Sequence, residues 1–328
     1  MKTKKRKNKK KRNTRKKNNL DFTLLKELTK IHAPSAEEDR IINYIVDYTN
    51  KNKNKWAVKP KIFHGGIYRN NVILVFGKPR VAVFSHIDSV GFMVGHKNKL
   101  TRIGGPNYKN GDKLHGFDSG GKVTATLRCK GKKSKKQKIT YTSRRPIDMG
   151  TNLTYVYNWR ETPSSVQVCS QDDRMGTFVA LKLAETLKNG ALVFTMAEET
   201  GGGDIEFLAK ILYEKYNITK ALISDIIPTE NGITLGGGAI VSYRDRNIPR
   251  RSYVEDIMNL VKKLPYKFQI EVGSKGGNDG GNLITASAPF DWCQIGVPVK
   301  FYHSANEKTN KADALATLNI YKALMKRI

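Results

Sequence analysis

The sequence predicts a three-layer α/β/α domain, interrupted once by a small β-rich inserted domain and preceded by a disordered basic tail. Three observations carry this. From residue 166 onward, strand-like apolar runs alternate with helical patterns, as in a sheet of mostly parallel strands joined by helices. Residues 95–165 break the alternation with short, basic, glycine-punctuated pieces such as residues 122–129, whose polarity alternates as in an antiparallel sheet. Residues 1–18 hold 12 Lys/Arg and no acid, and Met1 is the single apolar residue before Leu20, so like charges repel and nothing is there to bury. The expected boundaries are a tail at 1–19, a first catalytic segment at 20–94, the insert at 95–165 and a second catalytic segment at 166–328.

In chain order, Leu24, Leu25, Leu28 and Ile31, then Ile41, Ile42, Ile45 and Val46, repeat at helical spacing. Between them, Ser35 and Glu38 form a candidate capping box for the second helix. His32, before a proline turn, reads as structural. Residues 71–76 and 81–84 are buried-strand runs. Beyond the insert come a helix at 173–188, a strand at 191–197, a helix at 204–215 and a strand at 220–224. A helix at 252–263, a strand at 267–272 and a last helix from Ala312 follow.

Four of the apolar runs end on residues able to bind metal. Val81-Ala-Val-Phe-Ser-His-Ile-Asp88 ends on His86 and Asp88, and residues 191–199 end on Glu198 and Glu199 before a glycine turn. The run at 220–225 ends on Asp225, and the run at 297–303 on His303. Asp172 stands at the start of a helical pattern. Ligands of an open α/β sheet lie beyond the carboxyl ends of its strands, so these residues converge on one place. With Asp172 as a bridge, His86 and Asp225 serve one divalent ion, and Glu199 and His303 the other. A shared water completes about four ligands on each, which suits zinc, with cobalt as the alternative. Glu198 is left to move the proton, and Asp88, two residues beyond His86, to hold the second imidazole nitrogen.

Composition bounds the rest. The hydrophobic fraction is 39%, and no apolar run reaches the 18 or so residues of a membrane span, so an intracellular, cytoplasmic protein is expected. Cys129, Cys169 and Cys293 are too few and too scattered for a disulfide framework or a metal site, and read as buried free thiols. The net charge of +30 is concentrated: residues 95–161 hold 16 Lys/Arg against 4 acids. Together with the tail, this raises contact with nucleic acid or another polyanion through residues 1–19 and the insert, and with it a nuclear location.

These residues resemble a known family, the dinuclear metalloaminopeptidases that include glutamyl, deblocking and tetrahedral aminopeptidases, over nearly everything after residue 20. His86-Ile-Asp-Ser-Val-Gly-Phe-Met-Val94 is similar to the family's His-Met-Asp-Glu-Ile-Gly-Phe-Met-Val. Asp172-Asp-Arg-Met-Gly176 resembles its Asp-Asp-Arg-x-Gly, Glu198-Glu-Thr-Gly201 its Glu-Glu-Val-Gly, and Tyr302-His-Ser-Ala-Asn-Glu307 its closing Tyr-x-His-Ser-x-x-Glu. Departures are Ser89 for a Glu, Gly236-Gly-Gly-Ala239 for Gly-Lys-Gly-Pro, and Gly277-Asn-Asp-Gly280 for Gly-Thr-Asp-Ala. The resemblance implies an aminopeptidase acting on unblocked peptides, with Asp172 bridging two metals, Glu198 as the base, Glu199 and His303 as ligands, and homo-oligomers as assemblies. Two other readings stand beside it: a deacylase or amidase with the same site, and a nucleic-acid-associated protein on a peptidase-fold scaffold.

Overall fold

Alternating side chains on the central strands serve two faces of one sheet. In the computed structural model, which describes residues 20–130 and 137–328, neighbouring strands run in the order Val72–Phe76, Gly190–Thr195, Ala82–His86, Lys220–Ile223 and Asp291–Lys300. The last four are mutually parallel, and Val72–Phe76 runs antiparallel to Gly190–Thr195. Ile73, Phe84, Val193 and Ile223 face Leu208 and Leu212 of helix Ile205–Tyr216 and Leu283 of helix Asp279–Thr285. Leu74, Val83, Leu192 and Leu222 face the other way, in one core with Ile45 of helix Asp39–Asn52, Phe178 of helix Gln171–Ala184 and Leu318 of helix Lys311–Leu324. This is the expected three-layer α/β arrangement. Each such fully buried aliphatic or aromatic side chain contributes about 2 kcal/mol.

The insert is a second, six-stranded antiparallel sheet in the order Leu100–Ile103, Gly91–Val94, Asn152–Tyr155, Lys113–Asp118, Gly121–Cys129 and Ile139–Ser143. Its pairing begins at Gly91, ahead of the boundary placed at 95. Phe92 is as apolar as any residue of the main sheet, but it packs edge-on against Tyr108 and Tyr155 of the insert. At the other end, Arg160–Glu161 and Ser165–Gln167 pair with each other, and Ser165–Gln167 pairs with Lys308–Asn310 of the large sheet.

Several elements lie outside the sequence expectation, among them strands Lys61–His64, Ile226–Pro228 and Ala239–Arg244 and helix Asp279–Thr285. The Ser35–Glu38 capping box does not form. Glu38 caps its own loop by accepting from the Ala36 N–H, and Ser35 turns inward to a different partner, described below. His32 is buried, with Nδ1 3.0 Å from Thr154 Oγ1 and Nε2 3.1 Å from Glu37, a structural role. Cys169 and Cys293 are buried free thiols and Cys129 is half-buried. Among the described residues, no helix is long and apolar enough to cross a membrane. The basic tail at 1–19 lies outside the described residues.

Candidate metal centre

Parallel pairing sets four strand ends side by side. Thr195 is in register with His86, so the chain leaving Gly190–Thr195 delivers Glu198 and Glu199 beside that imidazole. The turn that carries them is tight, with Ala197 at φ 59° and Gly201 at φ 111°, a geometry that glycine adopts without steric cost at its closing position. Lys220–Ile223 delivers Asp225 through Ser224, and the loop after Asp291–Lys300 delivers His303. Helix Gln171–Ala184 supplies Asp172 from its first turn, where Asp172 and Asp173 depart from helical geometry.

The carboxylate of Asp172 sits between the two histidines. Its Oδ1 is 3.1 Å from His86 Nε2, and its Oδ2 is 2.9 Å from His303 Nε2. Asp225 Oδ1 lies 3.8 Å from His86 Nε2, and Glu199 Oε2 lies 3.3 Å from His303 Nε2. Glu198 Oε2 is 4.0 Å from His86 Nε2. Asp88 is fully buried and accepts from His86 Nδ1 at 3.2 Å. His303 Nδ1 is 3.1 Å from the Gly105 carbonyl, a contact made by the insert. The seven residues singled out from the sequence thus surround one point.

That point faces a cavity of about 1020 Å³, lined by Asp172, Glu198, Glu199, Asp225 and His303 and extending past Asp245 and Asn278. The electrostatics are those of too many buried anions. Burial pushes Glu198 up to about 8, with Asp279 and Asp172 adding to the shift and His86 opposing it. Burial also drives Glu199 and Asp225 upward. Asp172 moves the other way: burial raises it, but the imidazoles of His303 and His86 outweigh that and hold it below the ordinary carboxylate range. Burial lowers His303, yet Glu199 and Asp172 carry it up to about 10.

Divalent cations fit this donor set. Five carboxylates, Asp172, Asp173, Glu198, Glu199 and Asp225, crowd around two imidazoles, and Glu199 Oε1 is buried with no hydrogen-bond partner. Two groups meet metal-ligand spacing, His86 with Asp172 and Glu199, and His86 with Asp173 and Asp225. Mixed imidazole and carboxylate donors are chemistry for zinc or a similar first-row ion.

A family model described as M42 glutamyl aminopeptidase matches residues 133–320. The chain belongs to the M42 glutamyl aminopeptidase family. It is therefore a peptide hydrolase of a metallopeptidase family. An Acetivibrio thermocellus protein, whose name assigns it provisionally as an aminopeptidase, is 21% identical over 330 residues, covering 89% of this chain and 94% of its own. An aminopeptidase from the archaeon Desulfurococcus kamchatkensis superposes with a TM-score of 0.79 at 19% identity, covering 93% of this chain and 94% of that one. The TET1 peptidase of Pyrococcus horikoshii does so at 0.74 and 19%, covering 93% and 99%.

Several residues that shape this M42 site gave little or no sign in the sequence. Asp173 is fully buried, accepting from Ser85 Oγ and from the Gly176 N–H, both at 2.8 Å. Arg174 is wholly buried and donates to the carbonyls of Ile87, Asp88 and Ala33, fixing the chain around His86. Asp279 accepts from Thr195 Oγ1 at 2.5 Å beneath the Glu198 turn. The Asp-Asp-Arg string points to the first two of these. The actual partners of Asp279 and Ser35 lie 84 and 53 residues away in sequence, so no local pattern reveals these contacts.

Proposed function

We propose that this M42 aminopeptidase removes N-terminal residues from unblocked peptides at a two-cation centre. His86 and Asp225 would hold one ion, Glu199 and His303 the other, and Asp172 would bridge them. The observation that carries the reading is the placement of Asp172, whose two oxygens face two different imidazoles. Zinc suits the donors, with cobalt as the alternative. Bound there, the cations would polarise the scissile carbonyl and render a water acidic enough to attack at neutral pH.

The chain's own residues do the rest. Glu198 lines the cavity, and no ligand role is assigned to it, so its carboxylate is free to take the proton lost by the attacking water. It returns that proton to the nitrogen of the breaking C–N bond, so the amine leaves neutral. Asp88 accepts from His86 Nδ1, which leaves Nε2 as the coordinating nitrogen. A self-associating form is also proposed, by likeness to the Pyrococcus TET1 peptidase, which is described as assembling into a tetrahedron or a large octahedral shell. Light scattering on the purified protein tests it, and a monomer at all concentrations sinks it.

The deciding experiment measures release of the first residue from free and N-acetylated peptide panels, with zinc or cobalt supplied and Glu198→Gln as control. Turnover of free peptides alone, lowered at least about 100-fold in the control, supports the proposal. Cleavage of acetylated peptides instead assigns the site to a deacylase or an endopeptidase.

A further inference from the structure

The Asp88 carboxylate is the most heavily engaged acceptor near the metal centre. Besides His86 Nδ1, its Oδ1 accepts from the Glu198 N–H at 3.1 Å, and its Oδ2 accepts from the Glu199 N–H at 3.2 Å. One buried carboxylate therefore sets the orientation of a ligand imidazole and, at the same time, the turn bearing both the base and a ligand glutamate. If it rotates, all three move. A fourth donor holds it as well: Ser35 Oγ reaches Asp88 Oδ2 at 2.6 Å, the shortest of the four contacts. Ser35 is 5% exposed and comes from the loop ahead of helix Asp39–Asn52, 53 residues from its acceptor.

That loop is itself held in place. The Ala33 carbonyl accepts from Arg174 Nη2 at 3.4 Å and from Ser89 Oγ at 3.3 Å. Ser89 stands where the resembled motif carries a glutamate, and here its short hydroxyl closes onto the loop. The link runs both ways between the N-terminal loop and the strand end, with no solvent access to Asp88.

The geometry points to Ser35 as a positioning residue for catalysis, acting through Asp88 on His86 and on the Glu198–Glu199 turn together. This rests on the two-cation reading above. A hydroxyl at 35 satisfies the last acceptor site of a buried carboxylate, which otherwise turns toward the remaining donors and drags the turn with it. A residue that acts only on the fold would change stability and leave turnover per loaded site alone.

The test compares wild type with Ser35→Ala, Ser35→Cys and Ser35→Thr, each loaded with zinc and normalised to bound metal. The readouts are kcat, KM and zinc affinity against a competing chelator. Ser35→Ala is expected to lower kcat, zinc affinity or both at least about 10-fold with KM little changed, and Ser35→Thr, which keeps the hydroxyl, to recover most of the loss. Should Ser35→Ala fail to fold, the near-isosteric Ser35→Cys, a weaker donor, carries the comparison. Turnover and zinc affinity within about twofold of wild type in Ala or Cys, even with a lowered Tm, overturn the inference. So does a Thr variant no better than Ala. Failure of the underlying reading is distinct: it shows as an inactive wild type or an unimpaired Glu198→Gln, whatever happens at position 35.

Discussion

The Glu307 carboxylate accepts the backbone N–H of Asp172 at 3.2 Å, from a position 1% exposed. The same oxygen accepts the Gln171 N–H at 2.5 Å, and the Gln171 side chain donates back to the Glu307 carbonyl at 2.6 Å. The last motif of the chain thus fixes the start of the helix that presents Asp172. Removing the carboxylate strands two buried N–H groups, each worth about 1–3 kcal/mol when unpaired. Glu307→Ala should therefore lower both Tm and zinc affinity. Glu307→Gln keeps one acceptor oxygen and should do less of each, which calorimetry and chelator competition will measure.

Asp172 touches both imidazoles, so if it bridges two cations as proposed, its loss should uncouple them. Asp172→Asn keeps the shape but gives up one acceptor oxygen and the charge. Expected are a fall in bound zinc from two equivalents toward one or none, by elemental analysis, and turnover down by at least about 100-fold. Glu198→Gln, by contrast, should keep its metal. A chelator should abolish wild-type activity, and zinc or cobalt should restore it.

At Gly176 the helix bearing Asp172 packs tightly against the strand end bearing Asp225, with Ser224 Oγ donating to the Gly176 carbonyl at 3.3 Å. A Cβ at this position would lie 2.0 Å from the Ser224 carbonyl oxygen and 2.3 Å from Asp173 Oδ2. Neither neighbour is a flexible tip, so the helix must back away. Gly176→Ala should cost about 1–3 kcal/mol in urea unfolding and reduce zinc affinity through the displaced Asp172 and Asp225. Full zinc binding in a destabilised variant would show that the helix start tolerates the shift.

The sequence exposed the strand ends because a buried parallel strand is a nearly uninterrupted apolar run, and the first ionisable residue after it stands out. His86, Asp225 and the Glu198–Glu199 pair were legible for that reason. Ser35 was misread because Ser-x-x-Glu is a local pattern for a helix cap, whereas its actual acceptor, Asp88, is supplied by tertiary structure. The insert's first strand was hidden because Phe92 and Val94 look like core residues of either domain. Helix Asp279–Thr285 was hidden by its glycines: Gly280 sits so close to Trp292 that a Cβ would meet the ring at 2.3 Å. Close approach selected glycine there, and glycine reads as loop.

His115 joins the insert to the catalytic domain and should make that junction sensitive to acid. Its Nε2 is 3.2 Å from Thr154 Oγ1, which also contacts His32 Nδ1, and the two imidazole rings are 5.0 Å apart. Burial, with His32, Lys122 and Arg40 nearby, pushes His115 down to about 4 from 6.5. Between those values the unfolded chain binds a proton at this residue and the folded chain does not. Stability from this group is therefore intact above about pH 6.5, declines as the pH falls, and levels off near 4. The slope is about 1.4 kcal/mol per pH unit, or about 3 kcal/mol in all as an upper bound for a mostly buried group. His115→Gln cannot take up the proton, so it should lose about 2 kcal/mol less than wild type between pH 7 and pH 5 in urea unfolding. Parallel losses in the two proteins would mean that His115 finds its proton in the folded state, through water reaching its unpartnered Nδ1.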